Sequence, residues 1–187
     1  MTIATTYVSS LGLVNPEAKL VINNATVTSS QATGTWDSYD VIFSCNVELT
    51  NVVFNKAVAL EANAVLKKVK IKETHDFYAL WIVAVGQNVT LDGFTVQSSG
   101  RGIKIDNEYV DDADNAKVTL TVKNATFATE SKAAILVKSP AGAEVNLENV
   151  DISNVKADTT NTVWVDEDAA AYASGVVVNG GTVIVEP

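Results

Sequence analysis

Chemistry has few places to sit in this chain. The sequence holds one arginine, Arg101, one histidine, His75, and one cysteine, Cys45. Arg101 lies in Ser98-Ser99-Gly100-Arg101-Gly102, where the two flanking glycines indicate a turn and a surface position. His75 stands beside Asp76, a pairing that suits a base. No nucleophile accompanies it, and a surface loop is the plainer reading. Phe43 and Val47 flank Cys45, which reads as a buried thiol. Lyase chemistry on a polysaccharide needs a Lys or Arg base and a second cation for the enolate-like charge. Hydrolysis needs two carboxylates about 5–9.5 Å apart. Asp92 and Glu148 occupy comparable turn positions, but Lys123 falls between them, so they read as a ladder of alternating charge. No catalytic residue and no cofactor are expected.

Binding chemistry has more candidates. Asp111, Asp112 and Asp114 form one acidic loop, and Asp166 and Asp168 another. Oxygen-rich clusters of this kind can hold Ca²⁺, although neither matches a defined calcium loop, and a solvated acidic loop is the plainer reading. Trp36 and Trp164 border polar loops, and Tyr109 opens the first acidic loop. They are the candidates for stacking on a sugar, with edge packing as the alternative. Trp81 sits in an apolar run and is expected in the core. Lys67, Lys68, Lys70 and Lys72 form the one basic cluster. In a strand, Lys68, Lys70 and Lys72 share a face, a solvated stripe that discourages edge pairing and could meet an acidic partner. Asn-x-Thr triplets at Asn24, Asn88 and Asn124 match a glycosylation pattern, but the first and last fall in a repeated turn.

The elements that hold these residues are strands. The chain has 29 Val, 10 Ile and 19 Thr against 11 Leu. β-branched side chains are stiff at χ1 and fit pleated strands better than helices, so a helical bundle or coiled coil is excluded. With 47% hydrophobic and 19% charged residues, disorder is excluded as well. A net charge of −9 and a single Arg argue against nucleic acid and against an anionic membrane surface. No apolar run reaches a membrane span. No basic residue precedes Lys19, so the start lacks the charged region of a signal peptide. Either the protein stays where it is made or a leader has been removed.

A repeated motif sets the organisation. An alternating strand meets a small polar turn and continues into a second short strand. Leu20 to Val27, Val47 to Phe54, Leu66 to Ile71, Val89 to Val96, Leu120 to Phe127, Val145 to Ile152 and Val176 to Val183 are the copies. Their turn residues fall at 24, 51, 68, 93, 124, 149 and 180, giving steps of 27, 17, 25, 31, 25 and 31. Each interval holds one more strand candidate, at 40–45, 57–60, 78–85, 102–105, 133–137 and 162–165. Recurrence in the same phase one repeat later favours parallel stacking over a sandwich of hairpins. Asn24, Asn51, Asn124 and Asn149 tolerate left-handed geometry and are expected to form a ladder. Gly93 and Gly180 make the same turn without a side chain. Asn15-Pro16-Glu17 reads as a helix start.

The expected architecture is all-β. It is a single-stranded parallel β-helix of six to seven coils over residues 20–187, with a short N-terminal cap at 1–19. The motif typified by Val89-Thr90-Leu91-Asp92-Gly93-Phe94-Thr95-Val96 resembles that of the pectin-lyase-like right-handed parallel β-helix superfamily. The stretch from Gly100-Arg101-Gly102 to Leu136-Val137-Lys138 is similar to β-helical modules of gut bacterial surface proteins and their phages. That resemblance implies polysaccharide lyases and hydrolases, surface adhesins, and phage tailspikes and fibres. The Arg- and Asp-rich motifs of the enzymes have no match here. The expected function is therefore a non-enzymatic structural or binding protein, first a virion component and second a bacterial surface adhesin or carbohydrate-binding module. A small polysaccharide-active enzyme ranks last. Partners are expected to be assembly proteins or further copies, a trimer among the possibilities, and glycans.

Overall fold

The computed structural model describes residues 2–5, 18–29, 41–72, 78–83, 86–98, 100–107, 116–130, 134–156, 161–165 and 173–185. Within them the protein is all-β, with parallel strands in two sheets and no α-helix. Sheet A contains β1 (Thr2–Thr5), β2 (Lys19–Ser29), β4 (Asn46–Phe54), β6 (Ala64–Lys67), β7 (Lys70–Ile71), β9 (Asn88–Asp92), β10 (Thr95–Gln97), β12 (Val118–Thr129), β14 (Ala143–Val155) and β16 (Val177–Asn179). Sheet B contains β3 (Val41–Phe43), β5 (Val58–Leu60), β8 (Tyr78–Ile82), β11 (Arg101–Asp106), β13 (Ile135–Lys138), β15 (Val163–Val165) and β17 (Val183–Val185). The chain alternates between the sheets, and each return pairs with the strand laid down one pass earlier, Leu49 with Leu66 and Leu66 with Leu91. The six strand candidates in the intervals appear as β3, β5, β8, β11, β13 and β15.

The repeated turn works differently from a simple break. Asn24, Asn51, Lys68, Asn124 and Asn149 all have φ between 51° and 54°. Side chains alternate in a strand, so one left-handed residue shifts the inward parity by one. In β12 the inward residues are Val118, Leu120 and Val122 before Asn124, and Ala125 and Phe127 after it. Both halves therefore face the core. The ladder runs straight through Asn24, Asn51, Asn124 and Asn149, leaving one long strand where two short ones were expected. At Lys68 and Gly93 the strand is broken, yet Gly93 N still donates to Lys123 O at 2.9 Å and Lys68 N to Asp92 O at 2.7 Å.

This explains a ring in the pairing of sheet A. β4 and β12 are long enough to pair on both sides of the corner, β4 with β6 and β7, β12 with β9 and β10. The pairings β6–β9 and β7–β10 close a six-strand path. Inward residues from both sheets nevertheless join one apolar cluster, from Ile22 and Phe43 to Val163 and Val165. Phe43 meets Phe54 edge-on at 6.2 Å, and Phe94 meets Phe127 at 6.3 Å. Cys45 is buried, as its neighbours indicated. Thr2–Thr5 adds a strand beside the second half of β2. The helix start read at Asn15-Pro16-Glu17 lies outside the described residues.

Candidate functional site

The corner residues form a side-chain ladder in two pieces. Asn51 Nδ2 donates to Asn24 Oδ1 at 2.8 Å. Asn149 Nδ2 donates to Asn124 Oδ1 at 3.0 Å, and Asn124 Nδ2 donates to Asp92 Oδ1 at 2.9 Å. Lys68 occupies the column between the pieces and carries no amide to continue it. The lysine stripe is also cut there: Lys67 ends β6, Lys68 forms the corner and Lys70 opens β7. One residue before the corner, register aligns Lys67, Asp92, Lys123 and Glu148 in alternating charge. Lys123 Nζ lies 2.7 Å from Glu148 Oε2, and hydrogen bonding to that carboxylate raises the Lys123 pKa. The hydrogen bond from Lys19 lowers the pKa of Glu48, and those from Ser153 lower that of Asp151.

The outward row of sheet B carries the aromatic groups. Register aligns Ile42, Ala59, Trp81, Lys104, Leu136, Trp164 and Ile184. Trp81 is therefore not in the main core as expected. It packs outside sheet B on Ala57 and Ala59, because its parity is opposite to that of Leu80 and Ile82. Its indole Nε1 donates to the Asp106 carbonyl at 2.9 Å. Lys104 Nζ lies 5.3 Å from the Trp81 ring centre and 5.8 Å from that of Tyr78, and it pairs with Asp106 Oδ2. Arg101 opens strand β11 instead of lying in an exposed turn. It is half-buried, donates to Tyr78 Oη at 3.3 Å and stacks 5.2 Å over the same ring. Reading the residues singly hid this cation–aromatic cluster. The signal available was alternation, which puts Trp81, Lys104 and Trp164 on one outward row.

A second feature is a bulge. Thr126 pairs with Asp151 but Ala128 pairs with Asn154, so β14 holds one extra residue. The displacement opens a groove of about 360 Å³ lined by Thr129, Glu130, Ser153, Asn154 and Lys156, among others. Lys156 Nζ closes on Glu130 Oε1 at 2.5 Å across it.

Of the sugar-stacking candidates, Trp164 is half-buried on β15, while Trp36 and Tyr109 lie outside the described residues. So do His75 and the acidic residues Asp111, Asp112, Asp114, Asp166 and Asp168. Among the described residues no His, Cys, Asp and Glu side chains gather as a metal-binding group. No described helix is long and apolar enough to cross a membrane. The fold and these surfaces define an all-β protein of two stacked parallel sheets. No family model, curated protein or solved structure matches the chain.

Proposed function

We propose that the two sheets are walls of one single-stranded, right-handed parallel β-helix of six to seven turns. On this reading the protein is a non-enzymatic structural component of a larger particle. The setting is a bacteriophage virion, with the chain made in the host cytoplasm and used as a capsid decoration, fibre or tail-associated protein. The repeated return to each sheet from β2 onward, with sheet A broken in two at Lys68 and Gly93, and the single core between the sheets support the winding. Right-handedness follows the steric preference of parallel crossovers. The six-strand ring is then a consequence of two corners where long strands pair twice.

The observation that carries the structural role is a difference between the two ends. At the first pass the inward Ile22, Val41 and Phe43 are buried, whereas at the last the inward Val183 and Val185 are exposed. The occupant proposed for the open end is a second copy, docked open end to open end, because among the described residues the inward Ile22, Val41 and Phe43 of the opposite end are already covered. Light scattering should give a multiple of the 19.8 kDa chain mass. Lysines at Val183 and Val185 should return it to monomer with an unchanged circular dichroism spectrum. A wild-type monomer at the highest soluble concentration would overturn the reading. Detection in purified particles, or neighbouring genes for capsid and portal proteins, supports the virion. Absence from every particle, together with turnover of a glycan panel, sinks it.

The outward row of Trp81, Lys104 and Trp164 favours a second reading, a surface adhesin or carbohydrate-binding module. A glycan array with W164A as control tests it, and binding unaffected by that variant counts against this face.

A further inference from the structure

We propose that Asn179 is a site of spontaneous, irreversible modification, and that its conversion to a carboxylate releases the last pass. The chain has sixteen asparagines, and Asn179 alone is followed by glycine. In the reaction the Gly180 main-chain nitrogen attacks Cγ of Asn179 and loses its proton. The Asn179 side-chain nitrogen leaves as ammonia, and a five-membered imide forms. Water then opens the ring at one of two carbonyls, giving aspartate or isoaspartate. The attack needs the following residue to leave the nitrogen open. Glycine does, whereas the Val, Leu and Thr that follow many of the other asparagines crowd it.

The structure adds freedom at the same place. Asn179 is exposed and ends a three-residue strand, and two consecutive glycines follow it. β16 is paired to β14 alone, over Glu144–Val177, Val145–Val178 and Asn146–Asn179. A strand held on one side by three residue pairs opens locally more readily than one held on both.

The consequence follows from the polarity of the side-chain chain. Asn146 Nδ2 donates to Glu144 Oε1 at 3.1 Å, which turns Asn146 Oδ1 toward Asn179. Asn179 Nδ2 donates to that oxygen at 2.8 Å. A carboxylate at 179 has no proton to donate and meets an acceptor with a second carboxylate, Glu144, behind it. Turning the Asn146 amide would satisfy one neighbour and lose the other. Isoaspartate also adds a methylene to the main chain and breaks the register of β16. At Gly180 the chain passes so close to Leu147 that a β-carbon would lie 2.1 Å from its carbonyl oxygen, which leaves little room to absorb the shift.

A second copy docked on the open end would cover the free edge of β16, so conversion is followed both in the wild type and in the Val183→Lys, Val185→Lys monomer, and absence of conversion in both overturns the site whatever the state of association. Purified full-length protein is held in mildly alkaline buffer and followed by peptide mapping. A gain of one mass unit, confined to the peptide spanning Asn179 and split into two eluting forms, is expected. N179Q should fold normally and not convert. If the denatured chain converts at 179 while the native protein does not, or if conversion is spread over all asparagines, the proposal fails. The second half is tested with N179D by hydrogen exchange. About tenfold faster exchange over residues 177–185, with 118–129 unchanged, is expected. Exchange identical to wild type would overturn the release of the last pass.

Discussion

β15 and β17 are parallel neighbours in register, with Val163 beside Val183 and Val165 beside Val185. The residue types are the same and so is the inward parity. Yet Val163 and Val165 are 0% and 1% exposed, and Val183 and Val185 are 44% and 43% exposed. The difference is the layer beyond. A parallel pass cannot bury its own apolar row, and burying one Val is worth about 1.5–3 kcal/mol only when a neighbour covers it. Stability is therefore a property of stacking, concentrated in the middle passes and thin at the last.

The largest expected effect breaks or supports this contrast directly. Phe127→Ala removes a fully buried ring from the Phe94 pair and should cost about 3–5 kcal/mol in urea unfolding. Val185→Ala at the last pass, measured at a concentration where the protein is monomeric, should cost no more than about 0.5 kcal/mol. Equal costs would mean that the last pass is as well packed as the middle.

Two left-handed glycines sharpen it, Gly93 in the corner column and Gly180 beside Leu147, two residues short of Asn149. Gly180 has φ 77° and its added β-carbon meets Leu147 O at 2.1 Å, whereas at Gly93, with φ 68°, the nearest atom is Lys68 Cγ at 3.4 Å. Gly93→Ala should cost about 1–2 kcal/mol from backbone strain alone. Gly180→Ala should detach the last pass, seen as loss of exchange protection in 177–185 with the global midpoint almost unmoved. A large shift of that midpoint would show the last pass to be cooperative with the rest.

Smaller effects lie in the column itself. Asn124→Ala loses both ladder bonds and a residue that tolerates φ 51°, and should cost about 2 kcal/mol, with Asn124→Gly costing less. Lys68→Gly should stabilise by about 0.5 kcal/mol, since Lys holds φ 52° with no ladder bond. A loss would show that the Lys68 side chain contributes through contacts other than its backbone geometry.

The smallest effect is on pH. Glu48 and Asp151 have folded pKa values below their ordinary 4.5 and 3.8. Their contribution is present above those values and is lost as pH falls through the depressed ones. Lys123 is raised above 10.5, so its contribution is present below that value and lost as pH climbs past the raised one. Tm should therefore be flat between these limits and fall slightly at each. All three groups are exposed, so salt should flatten both limbs. Glu48→Gln should soften the acid limb, and an unchanged limb would remove Glu48 from it.

Much of the fold was legible in the residues. Period-two alternation located the strands, and the polar residue recurring at 24, 51, 68, 93, 124 and 149 located the corners, whereas Gly180, expected to make the same turn, falls beside Leu147, two residues short of Asn149. Asn in the left-handed region, where L-residues other than Asn and Asp are disfavoured, made the ladder readable too. Trp81, Arg101 and Lys104 were less legible, because an apolar run cannot tell which face a tryptophan takes when both faces of a strand are covered. The continuity of β12 through Asn124 was hidden for a related reason: a turn residue in sequence need not interrupt a hydrogen-bond ladder.

The sequence by itself determined the class of structure and the positions of the corners, because side-chain branching and left-handed tolerance act within one or two residues. Only the tertiary structure decided which valines are buried, which cations meet which rings, and where β14 takes up an extra residue. Those outcomes depend on the strand lying alongside, one repeat away in the chain, and Val163 and Val183 differ for no other reason.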